Sequence, residues 1–243
     1  EQGQLTGKHR AGYAPNSRLA LFDNNFGTRY RRPGLAAAMQ PYFDLATQLG
    51  MSPATLALAW VNDRWFVGSN IIGATTMEQL KENIASAATT LPADAIAEIE
   101  RIICKAEANV RSMGVAVSAG SLPETGKPTF ELGDDEIEVG MGAHGEAGVK
   151  RQKMVSADEI TNQMMEPILG DMALAKGDEV VLLINNLGAS TMMELLIVNR
   201  RVRQILARDG ISVHRTFIGP WFTSQEMAGF SISLMKLDAE LKR

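Results

Sequence analysis

The sequence frames one imidazole with glycines, in the run Gly140-Met141-Gly142-Ala143-His144-Gly145-Glu146-Ala147-Gly148. An imidazole titrates near neutral pH, so an unprotonated ring nitrogen can be offered to an electrophilic carbon or to a proton. Glycines at 142 and 145 carry no Cβ, which frees the backbone to take φ > 0 and lets a small substrate approach closely. His144 is therefore the catalytic candidate, with Gly142, Gly145 and Glu146 as candidate substrate-binding neighbours. Adjacency alone suggests that Glu146 orients the ring or a substrate hydroxyl. The same residues also suit a histidine on a glycine-rich surface turn, and a longer pattern has to separate the two readings.

The elements that must position this loop are read from periodicity. Residues 138–142 form an expected strand that delivers His144 to a strand end, where α/β sites gather. Residues 112–119 alternate as a half-buried strand and residues 120–128 are turn material. Lys150, Arg151 and Lys153 read as solvated. Ser156-x-x-Glu159 opens a helix with Met164, Met165, Ile168 and Leu169 for burial, kinked or ended by Pro167. The run Val180-Val181-Leu182-Leu183-Ile184 suits a strand covered on both faces. It leads through Asn185-Asn186-Leu187-Gly188-Ala189-Ser190 into a long helix ending at Gly210. Its expected buried stripe is Met192, Leu195, Leu196, Val202, Ile205 and Leu206. That glycine turn is either a phosphate or subunit contact at a helix N-terminus or a simple tight turn. Residues 213–218, carrying His214, and residues 230–237 alternate as further strands.

Upstream, residues 9–32 read as a long polar loop. A helix over 35–49 ends at Gly50 as a left-handed cap, with Pro41 expected to kink or break it. Ser52 caps the next helix with Pro53 at its first position, and Leu56, Trp60 and Val61 line its buried side. Residues 66–72 are expected as a short strand, followed by a helix that starts at Thr75 or Thr76, where Thr76-x-x-Gln79 has capping-box form. A helix from Leu91-Pro92-Ala93-Asp94 carries Ile96, Ile99, Ile102 and Ile103 as its apolar stripe.

Several long motifs from residue 104 onward resemble, in the right order, the second half of the K subunit of dihydroxyacetone (glycerone) kinases. They are Ser112-Met113-Gly114-Val115-Ala116-Val117, Gly126-Lys127-Pro128-Thr129-Phe130 and Glu138-Val139-Gly140-Met141-Gly142-Ala143-His144-Gly145-Glu146. Asn185-Asn186-Leu187-Gly188-Ala189-Ser190 with Met193-Glu194-Leu195, then Thr223-Ser224 and Met227-Ala228-Gly229-Phe230-Ser231, continue the match. The resemblance implies that His144 forms a covalent hemiaminal with a short ketose such as dihydroxyacetone. It also implies a partner subunit or domain that holds ATP with Mg²⁺, or relays phosphate from a phosphotransferase chain. The family's first-half elements, a glycine-rich loop with a second histidine and an aspartate general base, are missing here.

Residues 1–100 resemble a different family. Leu5-Thr6-Gly7-Lys8, Ala57-Leu58-Ala59-Trp60 and Ile71-Ile72-Gly73-Ala74-Thr75-Thr76-Met77-Glu78-Gln79-Leu80-Lys81-Glu82-Asn83-Ile84 are similar to the C-terminal half of an aldo-keto reductase. A turn before a helix N-terminus can hold a phosphate. The resemblance assigns the 2′-phosphate end of NADP to Ala74, Thr75, Gln79, Glu82 and Asn83. For those polar residues, ordinary capping and a solvated helix surface are the alternative. The reductase catalytic Asp, Tyr, Lys and His belong to the half of that barrel not represented here. The seam falls within one helix near residues 100–104, with no Gly, Pro or Ser-rich linker, so the chain reads as a chimera. The expected fold is α/β: a partial (β/α) barrel-like segment over 1–102, then a mixed-sheet α/β kinase K-type domain over 103–243.

Composition bounds the rest. The chain has 243 residues, 45% of them apolar, and a formal charge of -4. That balance speaks against a general nucleic-acid or membrane-surface role, which needs clustered cations. Arg200, Arg201 and Arg203 form the one basic cluster, read as a solvated helix face. The single cysteine, Cys104, excludes an intrachain disulfide and a cysteine metal site, fits a reducing cytoplasm, and has isoleucine neighbours that suggest packing. No metal ligand set is read. The chain opens on Glu1-Gln2-Gly3 like the middle of a longer pattern. The resulting expectation is a ketose-binding kinase component. An NADP-binding reductase fragment and an incomplete fusion product that self-associates through open sheet edges are the alternatives.

Overall fold

A computed structural model describes residues 3–22, 27, 30–31, 35–122, 124–142 and 146–242. The chain divides into two compact units, Glu1–Ile102 and Ile103–Arg243.

The described residues of the first unit form helices and turns. α1 is Arg18–Leu21, inside the stretch expected as loop, and α2 is Leu35–Gln48, continuing through Pro41. Gly50 ends α2 at φ 65°, and Met51 N–H reaches back to the Ala46 carbonyl at 3.0 Å, closing the left-handed cap. α3, Pro53–Asn62, starts at Ser52, whose hydroxyl accepts from Thr55 N–H. Leu56 and Ala59 face inward with Ala46 and Leu91, whereas Trp60 packs from the margin. α4 is Met77–Ala85, capped by Thr76, and α5 is Ala93–Ala108.

Two expectations are corrected here, one in this unit and one at the start of the next. Residues 66–72 are loop, and no strand forms among the described residues of 3–102, so a barrel-like arrangement is not built. A strand needs a neighbour for its backbone groups, and none lies in these residues. Cys104 does not pack: it is exposed, as are its neighbours Ile102 and Ile103.

The second unit is a six-stranded mixed sheet, the α/β fold expected for it. β1 is Val110–Ala116, β2 Glu136–Val139 and β3 Lys150–Lys153. After α6, Ala157–Asp171, come β4, Glu179–Asn186, α7, Met192–Arg208, β5, Ser212–Gly219, and β6, Gly229–Leu237. The order across the sheet is β3-β2-β1-β6-β4-β5, with β4 and β5 the parallel pair, joined by α7. The two helices meet each other and cover one face. There Met164 and Met165 of α6 meet Val115, Leu182, Ile184 and Ile232 of the sheet. Val181 and Leu183, on the other face of β4, stay half-buried, so that strand is not fully covered on both sides as expected.

Register also departs in places. α6 runs through Pro167 to Asp171. The inward stripe of α7 is Leu195, Val198, Val202, Ile205 and Leu206, whereas Met192 and Leu196 are 51% and 50% exposed. Spacings of three and four residues from Leu195 generate that stripe. Lys150, Arg151 and Lys153 belong to an edge strand, where charge discourages edge-to-edge pairing.

Adjacent leucines test the α7 register. Leu195→Ala is expected to lower unfolding stability by about 2–5 kcal/mol and Leu196→Ala by less than about 1 kcal/mol. Urea titration of both variants reads the difference.

Candidate functional site

The histidine-bearing turn joins β2 to β3. Gly140 ends β2 at φ 82°, and its N–H bonds the Gly114 carbonyl of β1 at 2.8 Å. This glycine, rather than residue 142, stops the strand, since a positive φ breaks the extended run. A Cβ at 114 would lie 2.5 Å from the Met141 carbonyl oxygen, so a side chain there would push the turn away from the sheet. Gly142 N–H donates to the Glu146 carbonyl at 3.1 Å, tying together the two residues that flank 143–145. A Cβ on Gly142 would collide with the Glu146 carboxylate. His144 and Gly145 lie outside the described residues; Gly142 and Glu146 are brought together at the base of their turn.

Two devices hold that base. Met141, 4% exposed, packs in a small apolar cluster with Ala116, Leu187 and Met227. Glu138, 7% exposed, accepts from Gly148 N–H at 2.6 Å through one carboxylate oxygen and from Arg151 at 2.9 Å through the other. The Gly148 N–H, and after it the Arg151 guanidinium, hold the Glu138 carboxyl below the usual carboxylate range. A buried carboxylate needs such partners. Glu138 heads the Glu138–Glu146 motif read from the sequence, where it carried no role of its own; its burial and its ties to Gly148 and Arg151 come from the tertiary structure.

Leu187 and Met227 bring the Asn185–Ser190 turn and the turn before β6 into the same neighbourhood. Asn185 accepts from Trp221 N–H and Phe222 N–H at 2.9 and 2.8 Å and donates to the Phe222 carbonyl at 2.7 Å. Asn186 accepts from Gly188 N–H and Ser190 N–H at 2.8 and 3.2 Å. Ser190 clamps Gly229 on both its N–H and its carbonyl. A Cβ on Gly188, at φ 157°, would strike the Gln225 carbonyl. At the start of α7, Thr191 and Glu194 form a complete capping box. These donors already have protein acceptors, which favours the tight-turn reading over a phosphate contact at this helix N-terminus.

In the first unit, the five candidate NADP contacts lie around the turn before α4. Thr75 N–H and hydroxyl both bond Gln79 Oε1, at 2.8 and 3.0 Å, and Asn83 donates to the Gly73 carbonyl at 3.1 Å. Gln79 thus reaches Thr75 rather than the cap Thr76, a capping box shifted by one residue. Glu82 turns to Ser52 and Thr55 at the start of α3. Ala74 is exposed beside them. An open cleft of about 680 Å³ lies in the second unit past the end of β1, between Ser118, Phe130, Glu136 and Arg151. Among the described residues no group of three His, Cys, Asp or Glu gathers to hold a metal ion.

Comparison with known proteins adds the following. Residues 73–243 match the model of the Dak1 domain, and residues 1–103 match that of the Aldo/keto reductase family. The dihydroxyacetone-binding subunit DhaK of the PTS-dependent dihydroxyacetone kinase 2 of Listeria innocua is 42% identical over 182 residues, 75% of this chain and 52% of that protein. The corresponding subunit of the PEP-dependent kinase of Escherichia coli is 34% identical over 171 residues, 60% of this chain and 47% of that protein. Among solved structures, a dihydroxyacetone kinase operon co-activator, Dha-DhaQ, aligns with a TM-score of 0.56 and 26% identity over 66% of this chain and 48% of its own. The native dihydroxyacetone kinase of C. freundii shares the fold, at a TM-score of 0.52 and 24% identity over 66% of this chain and 28% of its own. The chain spans about half the length of the curated relatives DhaK that it matches. Both resemblances read from the sequence are thus matched, and the two matches overlap over residues 73–103.

Glu138→Gln tests how the turn is held. Because the folded-state pKa is depressed, the carboxylate's contribution is present above the unfolded value of about 4.3 and is lost as pH falls through the folded value. The variant is expected to cost about 1–3 kcal/mol near pH 7. The gap to wild type should narrow as pH drops below about 4, read by denaturant titrations across that range.

Proposed function

The chain belongs to the Dak1 domain family, and from that premise we propose that it is a substrate-binding component of a dihydroxyacetone-type kinase. His144 is its covalent residue. The observation that carries this reading is the base of the histidine turn, where Gly114, Gly140, Met141, Gly142 and Glu138 are all committed to fixing residues 142 and 146.

The chemistry is addition across a carbonyl. The unprotonated imidazole nitrogen bonds to the ketone carbon, the C=O π pair moves to oxygen, that oxygen takes up a proton, and the other ring nitrogen gives up its own. The product is a neutral hemiaminal. Polyols such as glycerol have no carbonyl and are rejected on that ground. Gly142 and Gly145 leave room at the ring, and Glu146 orients the imidazole or a substrate hydroxyl.

Phosphoryl transfer is assigned to a partner subunit or domain that supplies phosphate from ATP with Mg²⁺ or from a phosphoprotein. No cofactor is assigned to this chain for that step. The NADP reading rests on the match of residues 1–103, with Ala74, Thr75, Gln79, Glu82 and Asn83 as its contacts, and nicotinamide-cofactor titration tests it. Self-association is part of the proposal, because Trp65 and Ile71 are 94% and 96% exposed. No helix among the described residues is long and apolar enough to cross a membrane, and a cytoplasmic location is proposed.

Native mass spectrometry after incubation with dihydroxyacetone is the test. Wild type is expected to gain one dihydroxyacetone per chain and His144→Ala none, with glycerol giving no adduct to either. A folded wild-type chain without adduct would overturn the ketone reading. Glu146→Ala should weaken adduct formation severalfold if that carboxylate orients the ring.

A further inference from the structure

The outward face of α7 changes character along its axis. Met192, Met193, Leu196 and Ile197, on its first two turns, are 51%, 73%, 50% and 40% exposed. A repeat of about 3.6 residues per turn places them on one side of the helix, away from the inward stripe that begins at Leu195. Single apolar side chains on a surface are ordinary, but four large ones side by side mark an interaction surface.

The two ends of this apolar zone carry opposite charge. On its C-terminal side, Arg200 pairs with Asp158 of α6, while Arg201 bonds the neutral Asn162 and Gln204 side chains at 2.9 and 3.4 Å and Arg203 bonds the Thr216 hydroxyl at 3.0 Å. That end is positive. On the N-terminal side, Glu194 belongs to the capping box of α7, and Glu226 is exposed next to Gly188, just before the Thr191 cap. Ala189 N–H donates to the Met227 carbonyl at 3.1 Å, which keeps the turn carrying Glu226 against the start of the helix. The surface therefore reads acid, apolar, base along one line.

From this order we infer that the face docks a second copy of this chain, with the two α7 helices antiparallel across a two-fold axis. Such a line is complementary to a surface that presents the same zones in reverse, and an antiparallel copy of the same helix does so. With the axis beside residues 194 and 195, Met192 faces the partner's Ile197 and Met193 faces the partner's Leu196. Arg200 and Arg201 are carried past the start of the other helix, toward the partner's Glu226. A partner of uniform charge would instead meet like charge at one end of the line. The inference adds to the self-association proposed above a surface that shares no residue with Trp65, Ile71 or the histidine turn, so it stands apart from the ketone reading.

Sedimentation velocity of the full chain over a concentration series tests it. Wild type is expected to form a dimer that dissociates more readily as salt is raised. Leu196→Asp, which puts a charge in the middle of the apolar zone, should weaken the dimer at least tenfold, and Met193→Asp serves if that variant fails to fold. Arg201→Glu and Glu226→Arg should each weaken it severalfold and together restore it, a rescue that a general loss of stability would not give. Trp65→Ser combined with Ile71→Ser should leave it unchanged. The assignment is overturned by a wild type that stays monomeric up to about 100 µM, by a dimer unchanged in the folded Leu196→Asp or Met193→Asp chain, by absence of rescue in the charge-swapped pair, or by loss of the dimer in the Trp65 and Ile71 double variant.

Discussion

Four apolar side chains, Ala116, Met141, Leu187 and Met227, hold the candidate site together. They come from the end of β1, the approach to the histidine turn, the turn after β4 and the turn before β6. Three of those segments are irregular backbone with polar groups to satisfy, and the fourth is the last residue of a strand. Burying one residue from each against the others removes apolar area from water and sets the distances between the turns. The hydrogen bonds of Asn185, Asn186 and Ser190 then become short and mutually consistent. Loss of the cluster would release three turns at once from the end of β1.

The same economy explains the glycines. Gly114 and Gly188 sit where another segment's carbonyl passes too close for a Cβ, so they are conditions for the turns to nest. Gly140 serves a different purpose, because its positive φ turns the chain out of β2. Glu138 completes the arrangement by converting a buried negative charge into a tie between β2, Arg151 of β3 and the backbone at Gly148. The hairpin is fastened from both of its strands, and residues 142 and 146 are left facing each other.

Order is unevenly distributed along the chain. The second unit has a continuous core under α6 and α7, while the first is a set of short helices with a small cluster around Ala46, Leu56, Ala59 and Leu91. Phe66 and Ile71 are exposed there, in the stretch expected as a strand, because nothing among the described residues pairs with it. A local β preference is present in the sequence, but no ladder among the described residues satisfies it.

Much of the architecture could be read locally. Alternation marked β1, β5 and β6, a continuous apolar run marked β4, the Ser52, Thr76 and Ser156 caps marked three helix starts, and Gly50 marked a helix end. These features depend on side chains within a few residues of one another. The glycines around His144 marked an imidazole candidate by the same local logic, and the ketone role was implied only by the resemblance. What the tertiary structure alone decided were matters of partnership across distance. It turned Arg151 from a solvated cation into the partner of a buried Glu138, filled the donors of the Asn185–Ser190 turn, rotated α7 so that Leu196 faces out, and left residues 66–72 unpaired. Burial and hydrogen-bond satisfaction depend on what another segment brings to the same place, and a linear pattern carries no record of that.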